Sequence, residues 1–320
     1  MSRLRYLVCA MSLEQVLDKI TDEDAPLSPS VFHILSALDR EQMELFSERW
    51  PLIAARRRRQ LLRALVELAE ADFAVDFNGI FRLGLQDDDE QVRAYAIDGL
   101  WEDESPTLVD FLLTMLSSDP SIMVRAGAAT GLGRFVLLAE LEEVDEDVGR
   151  RIVKALREVI EDPREALETR RRAVEAISCS SEERTSEIIA EAYRHPAEKM
   201  RISAIFSMGR SADPDWGSLI IGELDSPSPE MRFEAARACG ELELREAVPG
   251  LIRLIADLDR EVQQVAIYAL GQIGGQEARR ALQVCCESDD EVIAAAADEA
   301  LEELEFSSGI FDFPLWEEES

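Results

Sequence analysis

The feature that most constrains this chain is a register of residue types that returns along most of its length. An Arg is followed by Ala three residues on, by a small residue after six and by an apolar one after seven. The first slot holds Arg93, Arg125, Arg170, Arg201, Arg232, Gln263 and Ala294, the last five spaced 31 residues apart. The second holds Ala96, Ala128, Ala173, Ala204, Ala235, Ala266 and Ala297 without exception. The third is always small, from Gly99 and Gly131 through Ser207 to Ala300. At about 100° per residue these positions share one face of a helix. Ahead of each lies a second apolar segment, such as 218–224, 247–255 and 278–286, and turn-forming residues separate the two. Prolines such as Pro106, Pro196 and Pro229 fall at helix starts, where a missing N–H costs nothing. Each unit therefore reads as helix A, tight turn, helix B. Neither helix can bury its stripe alone, so the units must stack.

The register resembles the HEAT-repeat family, in the short bacterial form named after the bilin lyases of phycobilisome assembly. The segment 247–274 is similar to that repeat in nearly every structural slot, and the resemblance runs clearly over about 75–304. It implies an all-α fold, a right-handed α-α superhelix of the ARM/HEAT solenoid type, built from stacked antiparallel helix pairs. At least seven pairs in one continuous array are expected, with no sheet. Residues 1–29 read as an N-terminal extension, in which Met11 is an alternative start to Met1. The solenoid spans 30–305 as about seven to eight pairs, and 306–320 is an acidic, aromatic tail. The step from Arg125 to Arg170 is too long, so 135–149 is expected to extend a B helix and add an acidic loop.

Composition limits what such an array can bind. With 34 basic and 66 acidic residues the net charge is −32, which would repel nucleic-acid phosphates and anionic membranes. No apolar stretch in the sequence approaches the ~20 residues that would span a bilayer. The five cysteines lack CxxC spacing and fall mostly at apolar helical positions, which suits a reducing cytoplasm. Residues 1–12 imitate a signal peptide, but Arg5 interrupts the apolar run and no small-residue cleavage site follows, so a cytoplasmic location is expected.

Catalytic constellations are not found. The two histidines, His33 and His195, belong to no metal-ligand spacing, and no GxxxxGK[ST] loop or GxSxG elbow occurs. Some HEAT-type proteins are hydroxylases that hold two iron atoms on His-Glu pairs, and this sequence has no His-Glu dipeptide. No cofactor and no metal is therefore expected. The Gly274–Gly275 pair reads as a helix C-terminus in the left-handed helical conformation.

Two groups of cations need an account. The slot arginines could form an anion ladder, but pairing with Asp or Glu of adjoining turns is the better reading. The run Arg56–Arg59 is read as a solvated face, some of it lying along packed surface, with docking of an acidic partner segment as the alternative.

The leading function is a non-catalytic protein-binding scaffold or adaptor, and the alternative is an accessory or subunit of a bilin lyase-like cofactor-attachment enzyme. As the resemblance implies, B helices line the concave side. Residues one, five and eight after the Arg slot point away from the buried stripe, which gives Trp101, Arg171, Phe206, Phe233, Arg237 and Tyr268. Aromatic and Arg side chains dominate protein hot spots, although aromatics here could equally pack between B helices. A partner would lay apolar groups on the aromatics and carboxylates on Arg171 and Arg237, and basic flanks would suit the acidic surroundings. In the tail, Phe306, Ile310, Phe311, Phe313, Leu315 and Trp316 are expected to fold back as a cap, with a linear binding motif as the alternative.

Overall fold

A computed structural model describes residues 11–310. Among them every regular element is helical and no strand occurs, as the repeat register predicts. The chain divides into two compact units, Met1–Ala176 and Ile177–Ser320, each described here by itself.

Unit 1 opens with α1 (Leu13–Thr21), α2 (Pro29–Ile34), α3 (Arg40–Arg49) and α4 (Ala55–Ala71). Three helix pairs follow: α5 (Asn78–Gly84) with α6 (Glu90–Gly99), α7 (Pro106–Ser118) with α8 (Ile122–Glu140), and α9 (Glu146–Glu161) with α10 (Leu167–Ile177). Unit 2 holds four: α11 (Glu183–Tyr193) with α12 (Glu198–Arg210), α13 (Gly217–Glu223) with α14 (Pro229–Glu241), α15 (Val248–Leu254) with α16 (Arg260–Ile273), and α17 (Gly275–Cys286) with α18 (Glu291–Ile310).

The register is the packing code. All seven slot alanines are 0% exposed, so the stripe read from the sequence is the buried one. The slot arginines bond in a fixed way. Arg93, Arg125, Arg201 and Arg232 each donate to the carbonyl six residues earlier, and Gln263 does the same through its amide. That bond pins the turn between helix A and helix B. Three of these arginines also pair with a carboxylate in the following turn: Arg93 with Asp119, Arg125 with Glu165 and Arg232 with Asp257, each at 2.8 Å. Pairing across turns, the reading preferred from sequence, holds at these three rungs. Arg170 differs, donating to the carbonyl of Ile160.

Four details depart from the sequence reading. Residues 13–21, assigned to the N-terminal extension, form α1, and its Val16, Leu17 and Ile20 are fully buried. Ser12 and Gln15 close a reciprocal capping box at its start, which satisfies two donors that would otherwise be orphaned. The basic run on α4 is not a solvated face. Arg57 is buried and donates to the carbonyls of Lys19, Ile20 and Ala25, so it gathers the end of α1. Arg58 pairs with Asp87 and Arg59 with Asp89, which makes Arg58 the first rung of the arginine ladder. Only Arg56 is left exposed.

The third departure is α8, which is long and apolar enough to cross a membrane, a length the sequence reading denied to any segment. It is instead the core helix of unit 1: Val124, Ala128, Ala129, Leu132 and Phe135 are fully buried, and it packs on α6, α7 and α9. Its length fits the expected extension near 135–149, and an acidic turn with Glu142 in the left-handed region follows it. The fourth is Gly274, whose φ of 66° is positive as expected but whose ψ is −157°. That is the mirror-extended region, not the left-handed helical one, and it is open essentially to glycine alone.

Helix α18 continues to Ile310, past the expected tail boundary, and its Phe306 is 73% exposed rather than folded into a cap. Phe311, Phe313, Leu315 and Trp316 lie outside the described residues, as do residues 1–10.

Candidate functional site

Successive B helices touch through a glycine eight residues after the Arg slot. A Cβ built on Gly133, Gly209, Gly240 or Gly271 would lie 2.9, 2.9, 3.0 or 3.3 Å from the Cα of Ala176, Ala238, Ala269 or Ala300. Backbone stands against backbone there, so nothing larger than glycine fits without moving a helix. In α6 the equivalent residue is Trp101.

Helix α6 cannot reach that point. It ends at Gly99, where a Cβ would fall 2.4 Å from the Phe81 ring. Leu100 turns inward and is buried, and the chain leaves the helix axis. Residues 103–107 are then held from two sides. Arg82 donates through Nε to Asp103 at 2.9 Å and through Nη1 to Thr107 at 3.1 Å. From α8, Arg134 donates to the carbonyls of Asp103 and Leu100, placing its cation on the frayed C-terminal carbonyls of α6.

The missing last turn leaves a cavity of about 660 Å³ in unit 1. Its walls are Ile97, Leu100, Leu108 and Leu112, its floor is Gly127, Thr130 and Gly131 of α8, and Phe73 and Trp101 stand at its rim. These two rings are 78% and 45% exposed, unusual for large apolar groups. A second cavity of about 570 Å³ shares Asp98, Gly127 and Thr130 and continues past Ile122 and Met123 to Glu168 and Arg172 of α10. Together they form a trough along the B helices of unit 1.

The trough has a defined charge pattern. Asp98 and Glu70 line the same wall. The Asp98 side chain is exposed, and partial desolvation beside the neighbouring helices, with repulsion from Glu70, raises its pKa. Among the described residues no hydrogen bond or ion pair to Asp98 is found. Of the cations of the trough, Arg134 donates to carbonyls and leaves its Nε without a hydrogen-bond partner among the described residues, and Arg172 is ion-paired. Desolvation lowers the pKa of Arg134, whose guanidinium also lies 4.9 Å from the Phe135 ring. Arg172 pairs with Glu168 and Glu175.

The six residues expected on the binding ridge are placed as follows. In unit 1, Trp101 is at the trough rim, and Arg171 pairs with Glu168 and Glu175. In unit 2, Arg237 lies 4.2 Å over the Phe206 ring and pairs with Glu234 and Glu241. Phe233 is half-buried against the core, and Tyr268 is 46% exposed. Both ridge arginines therefore already hold two carboxylates each and are not open receptors for a partner's. Sequence reasoning missed the residues that make the trough. Asp98 and Thr130 occupy the slot-plus-five position used to pick Phe206 and Arg237, but only large aromatics and Arg were selected there. The available signal was Trp101 itself, where four other repeats carry Gly133, Gly209, Gly240 and Gly271.

The cysteines and His195 are placed as follows. Burial pushes the Cys239 thiol up to about 12, and Cys286 is raised to about 11, so neither is a thiolate nucleophile at neutral pH. His195 Nδ1 accepts from the Ala197 amide and closes a turn. Among the described residues no cluster of three metal-ligating side chains occurs.

The model of HEAT repeats matches residues 81–146 and 217–302, stretches that hold the register, the arginine rungs at Arg93 and Arg232, and the glycine contacts of α14 and α16. Those two stretches are HEAT repeats, and the chain is an all-helical solenoid of HEAT-like helix pairs. The unmatched stretch 147–216 keeps the same slots, with Arg170, Ala173 and Ala176, then Arg201, Ala204 and Ser207.

Among solved structures it is similar to the complex of CpcE and CpcF of phycocyanin lyase from Nostoc sp. PCC7120. That match has 18% identity and a TM-score of 0.48, covering 71% of this chain and 94% of that one. Human deoxyhypusine hydroxylase is similar at 17% identity and a TM-score of 0.36, with 92% and 96% covered. A designed armadillo repeat protein matches at 20% identity and a TM-score of 0.39, with 60% and 98% covered. No curated protein matches the sequence.

Proposed function

We propose that this HEAT-like solenoid is a non-catalytic scaffold or adaptor that holds another protein against its B-helix faces, in the reducing cytoplasm. The observation that carries the proposal is the trough of unit 1. It is an apolar concavity with exposed Phe73 and Trp101 at its rim, on helices fixed by buried slot alanines and ion-paired turns. Rigid elements carrying a preformed apolar pocket are what a binding face requires, because little ordering entropy is then lost on association. The raised thiols and the turn-forming His195 offer no competing chemistry.

The test is affinity purification of the tagged chain with cross-linking mass spectrometry. A stoichiometric protein partner whose cross-links fall on residues flanking the B helices supports the reading. A purified protein that is coloured or carries metal, with no protein partner, contradicts it and favours the cofactor-attachment alternative.

A further inference from the structure

We infer that the trough of unit 1 is built for a cationic amphipathic segment of a partner, with apolar side chains in the cavity and a Lys or Arg placed on Asp98 and Glu70 beside the Trp101 ring. The inference rests on the protein-binding reading and adds the chemistry of the occupant.

Three observations point the same way. First, the cavity of about 660 Å³ opens into a neighbouring one that reaches the exposed Ile122 and Met123. A trough of that extent suits an elongated segment with several apolar anchors better than a small molecule. Second, its charges do not balance. Arg134 donates to the carbonyls of Leu100 and Asp103, and Arg172 pairs with Glu168 and Glu175. Among the described residues Asp98 and Glu70 are not ion-paired, and the two outnumber Arg134 in the lining of the first cavity, so its net charge is negative. Two neighbouring carboxylates repel each other in the free protein, and an arriving cation would relieve that. Third, Trp101 stands beside Asp98 with its ring open, and an ammonium or guanidinium at the carboxylate lies within reach of an aromatic face.

Charge complementarity selects the occupant. A chain of net charge −32 attracts a basic segment at long range. The protein's own C-terminal residues, with Glu317, Glu318 and Glu319, carry the wrong sign for this wall.

The experiment uses the full-length protein and a short fluorescein-labelled peptide of leucine and lysine in amphipathic helical register, followed by anisotropy at physiological ionic strength. Two control peptides replace lysine by glutamate or leucine by serine. The Leu–Lys peptide should bind, and both controls should bind at least about tenfold more weakly. Asp98→Asn and Trp101→Ala should each weaken the Leu–Lys peptide by about tenfold. Glu299→Gln, which removes an exposed charge from unit 2, should leave it within about twofold. Circular dichroism confirms that each variant is folded. Equal weakening by Glu299→Gln, or tight binding of the Ser–Lys peptide, would show diffuse charge attraction and overturn the inference, as would no binding at all. If a partner from the affinity experiment binds Asp98→Asn and Trp101→Ala normally but fails on Phe206→Ala, the trough is refuted while the scaffold reading stands.

Discussion

At one and the same point of the repeat, α14 carries Gly240 and α6 is followed by Trp101. In unit 2 the glycine lets α16 press its Ala269 backbone to within 3.0 Å of where a Cβ would stand, and the B helices close on each other. In unit 1 the helix stops two residues earlier, at Gly99, and the indole stands at the rim of a cavity. The same code thus yields a sealed face or an open one, depending on whether one helix completes its last turn. Repeat proteins gain stability from closed contacts between neighbours. A contact left open, with large apolar groups around it, is where such an array departs from its own rule, and departures of that kind mark functional positions.

Exchanging residues between the two faces tests the difference, beginning with what they share. The arginine rungs are alike in both units, so Arg93→Met and Arg232→Met should be costly to a similar degree. Each leaves a carboxylate, Asp119 or Asp257, with only 8% of its side chain exposed and no cation. About 3 kcal/mol is expected for each, read from urea unfolding. Losses confined to one unit would show that the ladder is not a common device.

The two faces should then part. Gly240→Trp places an indole against the Ala269 backbone and should cost about 3 kcal/mol, whereas Trp101→Gly removes a ring that is 45% exposed and should cost under about 0.5 kcal/mol. Similar costs would mean that the trough is not open.

The smallest effects are those of pH. The Arg232 guanidinium holds Asp257 below the usual carboxylate range, so that pair stabilises the fold above the unfolded value, near 3.9, and its contribution is lost as pH falls through the lower folded value. Asp98 has the opposite sign. Its folded pKa is raised, so its ionisation works against folding above that range and the penalty disappears on acidification. Asp98→Asn should therefore raise the melting temperature slightly at pH 7 and not at about pH 3. A fall at pH 7 would mean that Asp98 has a stabilising partner.

How much was legible beforehand follows from what repeats. The Ala slots, the arginine pairing across turns and the all-helical stacking could be read because they recur, and recurrence separates structure from chance. Arg58 escaped notice because its repeat has Leu61 where the others have Ala, which hid the first rung inside a basic run. The carboxylates six residues before the slots Arg93, Arg125 and Gln263, namely Asp87, Asp119 and Asp257, were visible in the sequence, but their partners lie one repeat earlier and only folding joins them. The trough was hidden for a different reason. It arises from a turn that α6 lacks, and periodicity records positions that are filled rather than one left vacant. Large ridge residues drew attention instead, and the structure places Arg237 over Phe206 within unit 2 with its carboxylate partners already supplied.

Hydrogen–deuterium exchange of the full-length protein, with and without the Leu–Lys peptide, tests most directly whether the open face of unit 1 is the binding face. The connecting backbone beside the cavity lies at residues 72–77 after α4 and 100–105 after α6. Occupation of the trough predicts slowed exchange in these two segments and little change between 204 and 272. Protection confined to 204–272, or spread evenly over the chain, would contradict it.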